Sequence, residues 1–188
     1  PHFLFNALNT VRATIRIDAE RARDLVASVA DLYRYILHHP EDATVVSEVE
    51  HACSYLEIEN ARLGETLEIE VDVPDDCREI RIPALLLQPI VENAVRHGVG
   101  LHENGGVIRI EARRDGEFIE LRVIDRGRGE RVTSTQKGAG MALATLRESL
   151  KHRYGDEATL ELEIGEGSTI ACIRLPINGM ILGHANAG

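Results

Sequence analysis

Asp125-Arg126-Gly127-Arg128-Gly129 follows the apolar run Phe118 to Ile124 with a carboxylate and then two alternating glycines. Glycine tolerates positive φ angles and lets a backbone come close to a flat ligand. A carboxylate at that point can accept a hydrogen bond from an exocyclic amine such as that of adenine. Upstream, Asn93 offers an amide oxygen to a metal ion. Downstream, Gly138-Ala139-Gly140 opens a helical pattern, where backbone N–H groups can meet phosphates. Together these parts describe an ATP site. It is not of the Walker type, because the sequence contains no G-x-x-x-x-G-K-[ST] run.

Composition sets the outer bounds. The 188 residues are 44% hydrophobic, enough for one medium domain with a core and a smaller piece beside it. A formal net charge of −10 argues against non-specific nucleic-acid binding, so no nucleic-acid partner is expected. Cys53, Cys77 and Cys172 are odd in number, widely spaced and without metal-ligand pairing. They read as free thiols in a reducing compartment, which implies a cytoplasmic location. No apolar run reaches membrane-spanning length, and no signal peptide is visible. The chain opens at Pro1 inside a motif and without Met, so an upstream sensor or membrane region is expected.

Hydrophobic periodicity divides the chain. Phe3, Phe5, Leu8, Val11 and Ile15 recur at helical spacing, as do Leu25, Val29, Leu32, Ile36 and Leu37, predicting a helical hairpin that ends at His38-His39-Pro40. Ser47-x-x-Glu50 has the form of a capping box for a third helix. The glutamates of that helix, Glu48, Glu50, Glu57 and Glu59, are expected to form a solvated face. Leu67 to Val73 alternates strictly and predicts a strand. Pro83 is expected to open a helix over Ala84 to Val99. Strands follow over Val107 to Arg113 and Phe118 to Ile124, joined at Asp115-Gly116. Glu130 to Lys137 reads as a mobile loop, Ala139 to Arg153 as a helix, and Leu160 to Ile164 with Thr169 to Leu175 as a last strand pair. The predicted class is α+β, a mixed sheet with helices on one face.

Four motifs carry a resemblance. Pro1-His2-Phe3-Leu4-Phe5-Asn6 resembles the phosphoacceptor box of LytS-type sensor histidine kinases, and Leu86 to Gly98, containing Glu92-Asn93-Ala94, resembles their asparagine box. Asp125 to Gly129 and Gly138 to Leu143 are similar to the two glycine boxes of the GHKL superfamily, whose ATP domain is the Bergerat α/β sandwich. The match runs from Pro1 to about Pro176 in order and spacing. It implies three parts: a truncated dimerisation and histidine-phosphotransfer hairpin over 1–42, a GHKL-type ATP-binding catalytic domain over 43–177, and a flexible tail over 178–188.

The resemblance also assigns roles. His2 would be the phosphorylated residue; an imidazole nitrogen is a nucleophile without deep pKa tuning. Asn6 shares its helix face and would orient the ring, or a water during phosphatase action, the alternative being a helix-surface amide. Asn93 would bind Mg²⁺, with a satisfied helix amide as the alternative. Glu92 would hold a metal-bound water or be a surface acid. Arg96 would contact phosphate, and His97 and Thr169 would line the nucleotide pocket. Asp125 would read adenine, Gly127 and Gly129 would let the protein backbone approach the nucleotide, Gly138 and Gly140 would present backbone N–H groups to phosphate, and Lys137 would reach phosphate. Departures from the family pattern are Arg126, Ala142 and Thr145, where relatives often carry Asn, Gly and Asn.

The implied activity is ATP-dependent histidine phosphorylation by the catalytic portion of a two-component sensor kinase. MgATP would be the cofactor pair, a response-regulator receiver domain the acceptor, and a homodimer the working form of the whole protein. The alternative is a GHKL module that binds ATP as a conformational switch without transfer. A GHKL ATPase driving a mechanical cycle would leave the His2 box unexplained.

Overall fold

A computed structural model describes residues 2–38, 41–128 and 139–177. Helices α1 (His2–Ile15) and α2 (Ala19–His38) form the expected hairpin. Asp18 starts α2 by accepting hydrogen bonds from the backbone N–H groups of Glu20 and Arg21 at 3.0 and 2.9 Å, which satisfies donors that the first helical turn leaves open. The hairpin packs on α3 (Val45–Arg62). Ala7 and Leu32 join the same core as Leu56 and Ile58, and the Phe3 ring lies 5.1 Å from that of Tyr55.

The cap of α3 sits three residues earlier than the sequence suggests: Thr44 and Ser47 make the reciprocal capping box, not Ser47 and Glu50. The cause is a short antiparallel ribbon between β1 (Asp42–Thr44) and β3 (Arg81–Pro83), which holds the chain extended up to Thr44. The glutamates of α3 do not form a solvated face either. Glu48 is fully buried, Glu59 is buried and pairs with Arg62 at 2.5 Å, and Glu57 accepts from Ser28 Oγ at 2.7 Å. Only Glu50 of the four is exposed.

The main sheet has five strands in the order β2-β4-β5-β7-β6. These are β2 (Leu67–Asp72), β4 (Gly106–Asp115), β5 (Phe118–Gly127), β6 (Thr159–Ile164) and β7 (Ser168–Pro176). Strands β2 and β4 are parallel and the other pairs antiparallel, as the mixed-sheet reading expects. A parallel pair needs a crossover. Here it contains α4 (Asp75–Arg78), β3 and α5 (Gln88–Asn93). Ile90 and Val91 of α5 and Leu143 and Leu150 of α6 (Ala139–Tyr154) share one core with Ile108, Leu121 and Ile173 of the sheet. The opposite face is charged, with Arg109 bonding Glu70 at 3.2 Å and Glu111 at 2.6 Å and Arg113 bonding Asp72 at 2.5 Å. These pairs are only partly buried and contribute little individually.

The hairpin turn between β4 and β5 is Gly116-Glu117, with Gly116 at φ +57°, one residue later than Asp115-Gly116. The apolar segment after Pro83 is not one helix. Ala84 to Leu87 is a turn, with Leu85 at φ +59°, and α5 begins at Gln88. A π turn, Ala94–Gly98, and a 3₁₀ turn, Val99–Leu101, follow it. The segment Glu130 to Lys137 and the tail 178–188 lie outside the described residues.

Candidate functional site

Alternation along β5 builds the floor of the site. Ile119, Leu121, Val123 and Asp125 face the helices in turn, so a carboxylate occupies the last core-facing position of an apolar series. Asp125 is 4% exposed. Its direct partner on β7 is Thr169, which begins that strand's core-facing series Thr169, Ala171, Ile173 and Leu175. The two polar side chains therefore sit side by side where both apolar series end. Leaving a carboxylate there without polar company would be costly. The carboxylate is also fenced from above: a Cβ on Gly98 would collide with Asp125 Oδ1 and Cγ. Only glycine fits at that point of the π turn.

Around Asp125 is a cavity of about 280 Å³. The asparagine-box segment gives it Asn93, His97 and Gly98, the β6–β7 end gives Gly165, Gly167, Ser168 and Thr169, and α6 gives Leu143 and Arg147. Leu162 and Ile164 form an apolar wall. Asn93 ends α5, and its Oδ1 is buried with no hydrogen bond from any described residue. Buried polar atoms normally find partners. A buried amide oxygen without a hydrogen-bond partner among the described residues, on a side chain that lines the cavity, suits a hard divalent cation such as Mg²⁺, which takes oxygen ligands.

Asn93, His97, Asp125 and Thr169, read from sequence as site residues, thus come together in one cavity. Arg96 is exposed on the π turn and is not among the lining residues. Gln88 Nε2 donates to Glu92 Oε1 at 2.8 Å one turn before, and neither lines the cavity. Gly127 lies two residues past Asp125 on the same face and is covered by the His102 ring. Gly140 lies in the first turn of α6. Gly129, Lys137 and Gly138 lie outside the described residues. His2 opens α1, and Asn6 is half-buried one turn later, outside the cavity lining. Sequence reasoning missed His102 and Arg147, which line the cavity, and gave no role to Gly98. Arg147 Nε donates to the Leu160 carbonyl at 3.1 Å, which fixes it at the rim.

The site sits among known proteins as follows. The profile of the histidine kinase-, DNA gyrase B- and HSP90-like ATPases matches residues 78–179, and a histidine kinase profile matches residues 1–67. The sensor histidine kinase BtsS of Escherichia coli K12 is 38% identical over 178 residues, covering 94% of this chain and 31% of that protein. The sensor protein LytS of Bacillus anthracis is 34% identical over 188 residues, covering 92% and 32%. The chain thus spans about a third of the length of these curated relatives. Among solved structures, the Acinetobacter baumannii histidine kinase AdeS superposes with a TM-score of 0.55 at 16% identity, over 89% of this chain and 84% of that one. Histidine kinase ThkA in complex with the response regulator protein TrrA gives 0.52 at 11% identity, over 94% and 59%. At such identities these structures speak for the fold alone. The profile over residues 78–179 covers more than half of the chain, so the chain belongs to the histidine kinase-, DNA gyrase B- and HSP90-like ATPase family, and a histidine kinase segment precedes its ATPase part.

Proposed function

We propose that this chain is the catalytic portion of a two-component sensor histidine kinase that moves the γ-phosphoryl group of ATP to His2. One observation carries the reading: the buried carboxylate of Asp125, beside Thr169, shares a cavity with Asn93, whose buried amide oxygen has no hydrogen-bond partner among the described residues. A carboxylate that accepts from an exocyclic amine and an amide oxygen for a cation are the two ends of a MgATP site. Asn93 would hold Mg²⁺, whose charge would offset that of the phosphates. Arg96 is assigned to phosphate by the family motif, Lys137, Gly138 and Gly140 by the second glycine box, and Gly129 to close approach of the backbone to the nucleotide by the first.

In the transfer, a ring-nitrogen lone pair of neutral His2 forms a bond to phosphorus as the bond to the ADP oxygen breaks. The protein's contribution is positioning and charge stabilisation. Asn6, on the same helix, would orient the imidazole. The phosphoryl group would then pass to an aspartate of a response-regulator receiver domain, a partner class that ThkA, a fold neighbour, is seen with. Residues 1–42 would serve as the phosphotransfer hairpin and 43–177 as the nucleotide domain. Phe5, Leu8 and Ile15 of α1 and Val26 and Leu37 of α2 are exposed apolar side chains, which fits a homodimer of the intact protein formed through the hairpin. A cytoplasmic setting fits ATP as substrate and the three free cysteines.

Incubating the intact protein with γ-labelled ATP tests the reading. A kinase acquires acid-labile, base-stable phosphate. Tight MgATP binding without incorporation would favour the non-catalytic switch.

A further inference from the structure

We propose that His102 is a nucleotide-binding residue whose imidazole forms the ledge on which a purine base rests. The inference rests on the ATP reading above and adds a residue that the sequence motifs do not contain. His102 lines the cavity with Asp125. Its ring lies directly over Gly127, where a Cβ would collide with its Cδ2, Nε2 and Cγ. Gly127 and Asp125 are alternate residues of β5 and face the same way, roughly 7 Å apart along the strand. The ring and the carboxylate are therefore neighbours on one surface.

The loop carrying His102 is tied down on both sides. His102 N–H donates to the Val99 carbonyl at 3.1 Å, and Gly105 N–H donates to the His102 carbonyl at 3.1 Å. Arg128 N–H, just past β5, donates to the Gly105 carbonyl at 2.8 Å, and Asn104 N–H returns to the Arg128 carbonyl at 3.3 Å. The backbone that carries the imidazole is thus held in place before any ligand arrives, which lowers the ordering cost of binding. Asp125 reads the edge of the base, and His102 offers a flat π surface to its face. The absence of a side chain at Gly127 is what admits the ring. This gives the first glycine after Asp125 a role beyond ligand approach.

The test compares ATP and GTP affinities by calorimetry for the intact wild type, His102→Ala, His102→Phe, Gly127→Ala and the double variant Gly127→Ala/His102→Ala. Base–aromatic stacking predicts that His102→Ala lowers ATP affinity about tenfold and GTP affinity alike, because every base offers a π-face. His102→Phe should restore both. Gly127→Ala should weaken ATP binding by forcing the ring into the cavity, and the double variant should lose less than the two single losses combined. In the wild type, adenosine alone, without phosphates, should shift the His102 ring-proton resonances. Wild-type ATP binding with an unaltered His102→Ala affinity, additive losses in the double variant, or unshifted ring protons would each overturn the inference alone. No ATP binding by the wild type would overturn the nucleotide reading and this inference with it.

Discussion

The Tyr35 hydroxyl of α2 donates a 2.5 Å hydrogen bond to Glu48 of α3, and the same buried carboxylate accepts the backbone N–H groups of Leu85 and Leu87 at 2.6 and 3.0 Å. One side chain thereby joins the hairpin to the turn that leads into α5 and Asn93. The turn needs such a hold, because Leu85 adopts φ +59°, a conformation costly for a side chain with a Cβ.

Glu48→Ala should destabilise the fold by about 3 kcal/mol or more, since it strands buried backbone donors that each cost about 1–3 kcal/mol. Glu48→Gln keeps one acceptor oxygen and should cost less. Denaturant melts of the two variants check the order. Equal stability of Glu48→Ala and wild type would remove the strut from the account.

His51 stacks on Tyr35 with ring centroids 4.4 Å apart and is buried, so desolvation lowers its pKa. The unfolded chain then binds a proton that the folded chain refuses between about 6.5, the unfolded value, and the lower folded value. Stability therefore rises with pH through that window and is lost as pH falls through it. Asp31, Glu50 and Glu57 line the same recess. Melts across pH 7 to 5 (on the order of the window of His titration) should show a drop that His51→Phe flattens.

Asp125→Asn should reduce ATP affinity by about 1–3 kcal/mol, the range for losing a charge-assisted hydrogen bond. Calorimetry reads this directly. Wild-type affinity in the variant would remove the adenine-reading role.

Asn93→Ala should leave affinity for adenosine near wild type and abolish the gain in ATP affinity that Mg²⁺ gives. The cation takes few protein ligands, so one amide oxygen is a large share. A Mg²⁺-dependent gain that survives the substitution would return Asn93 to an ordinary helix amide.

Much of this arrangement was legible because it is local. Strict alternation in Leu67 to Val73 and the apolar run Phe118 to Ile124 pointed to strands, and the position of Asp125 at the end of that run was visible from the sequence alone. Asn93 stood out as a polar residue in an apolar stretch. What stayed hidden depends on distant pairing. Glu48 reads as one more helix-surface acid until Leu85 and Leu87, 37 and 39 positions away, present their N–H groups to it. His102 has no helical or strand period to mark it, and its partner Gly127 lies at the end of the central strand β5. Strands β1 and β3 span three residues each, too short for a period-two signal, yet they move the start of α3.

The most direct test of the account locates the phosphate by mass spectrometry in the intact protein after incubation with MgATP, under conditions that preserve phosphohistidine. The account predicts phosphate on His2, and its complete loss in His2→Gln with unchanged ATP affinity, because the nucleotide-binding residues named above lie on other elements. Phosphate on His38, His39 or His51 instead, or none at all in a wild type that binds MgATP well, would contradict it.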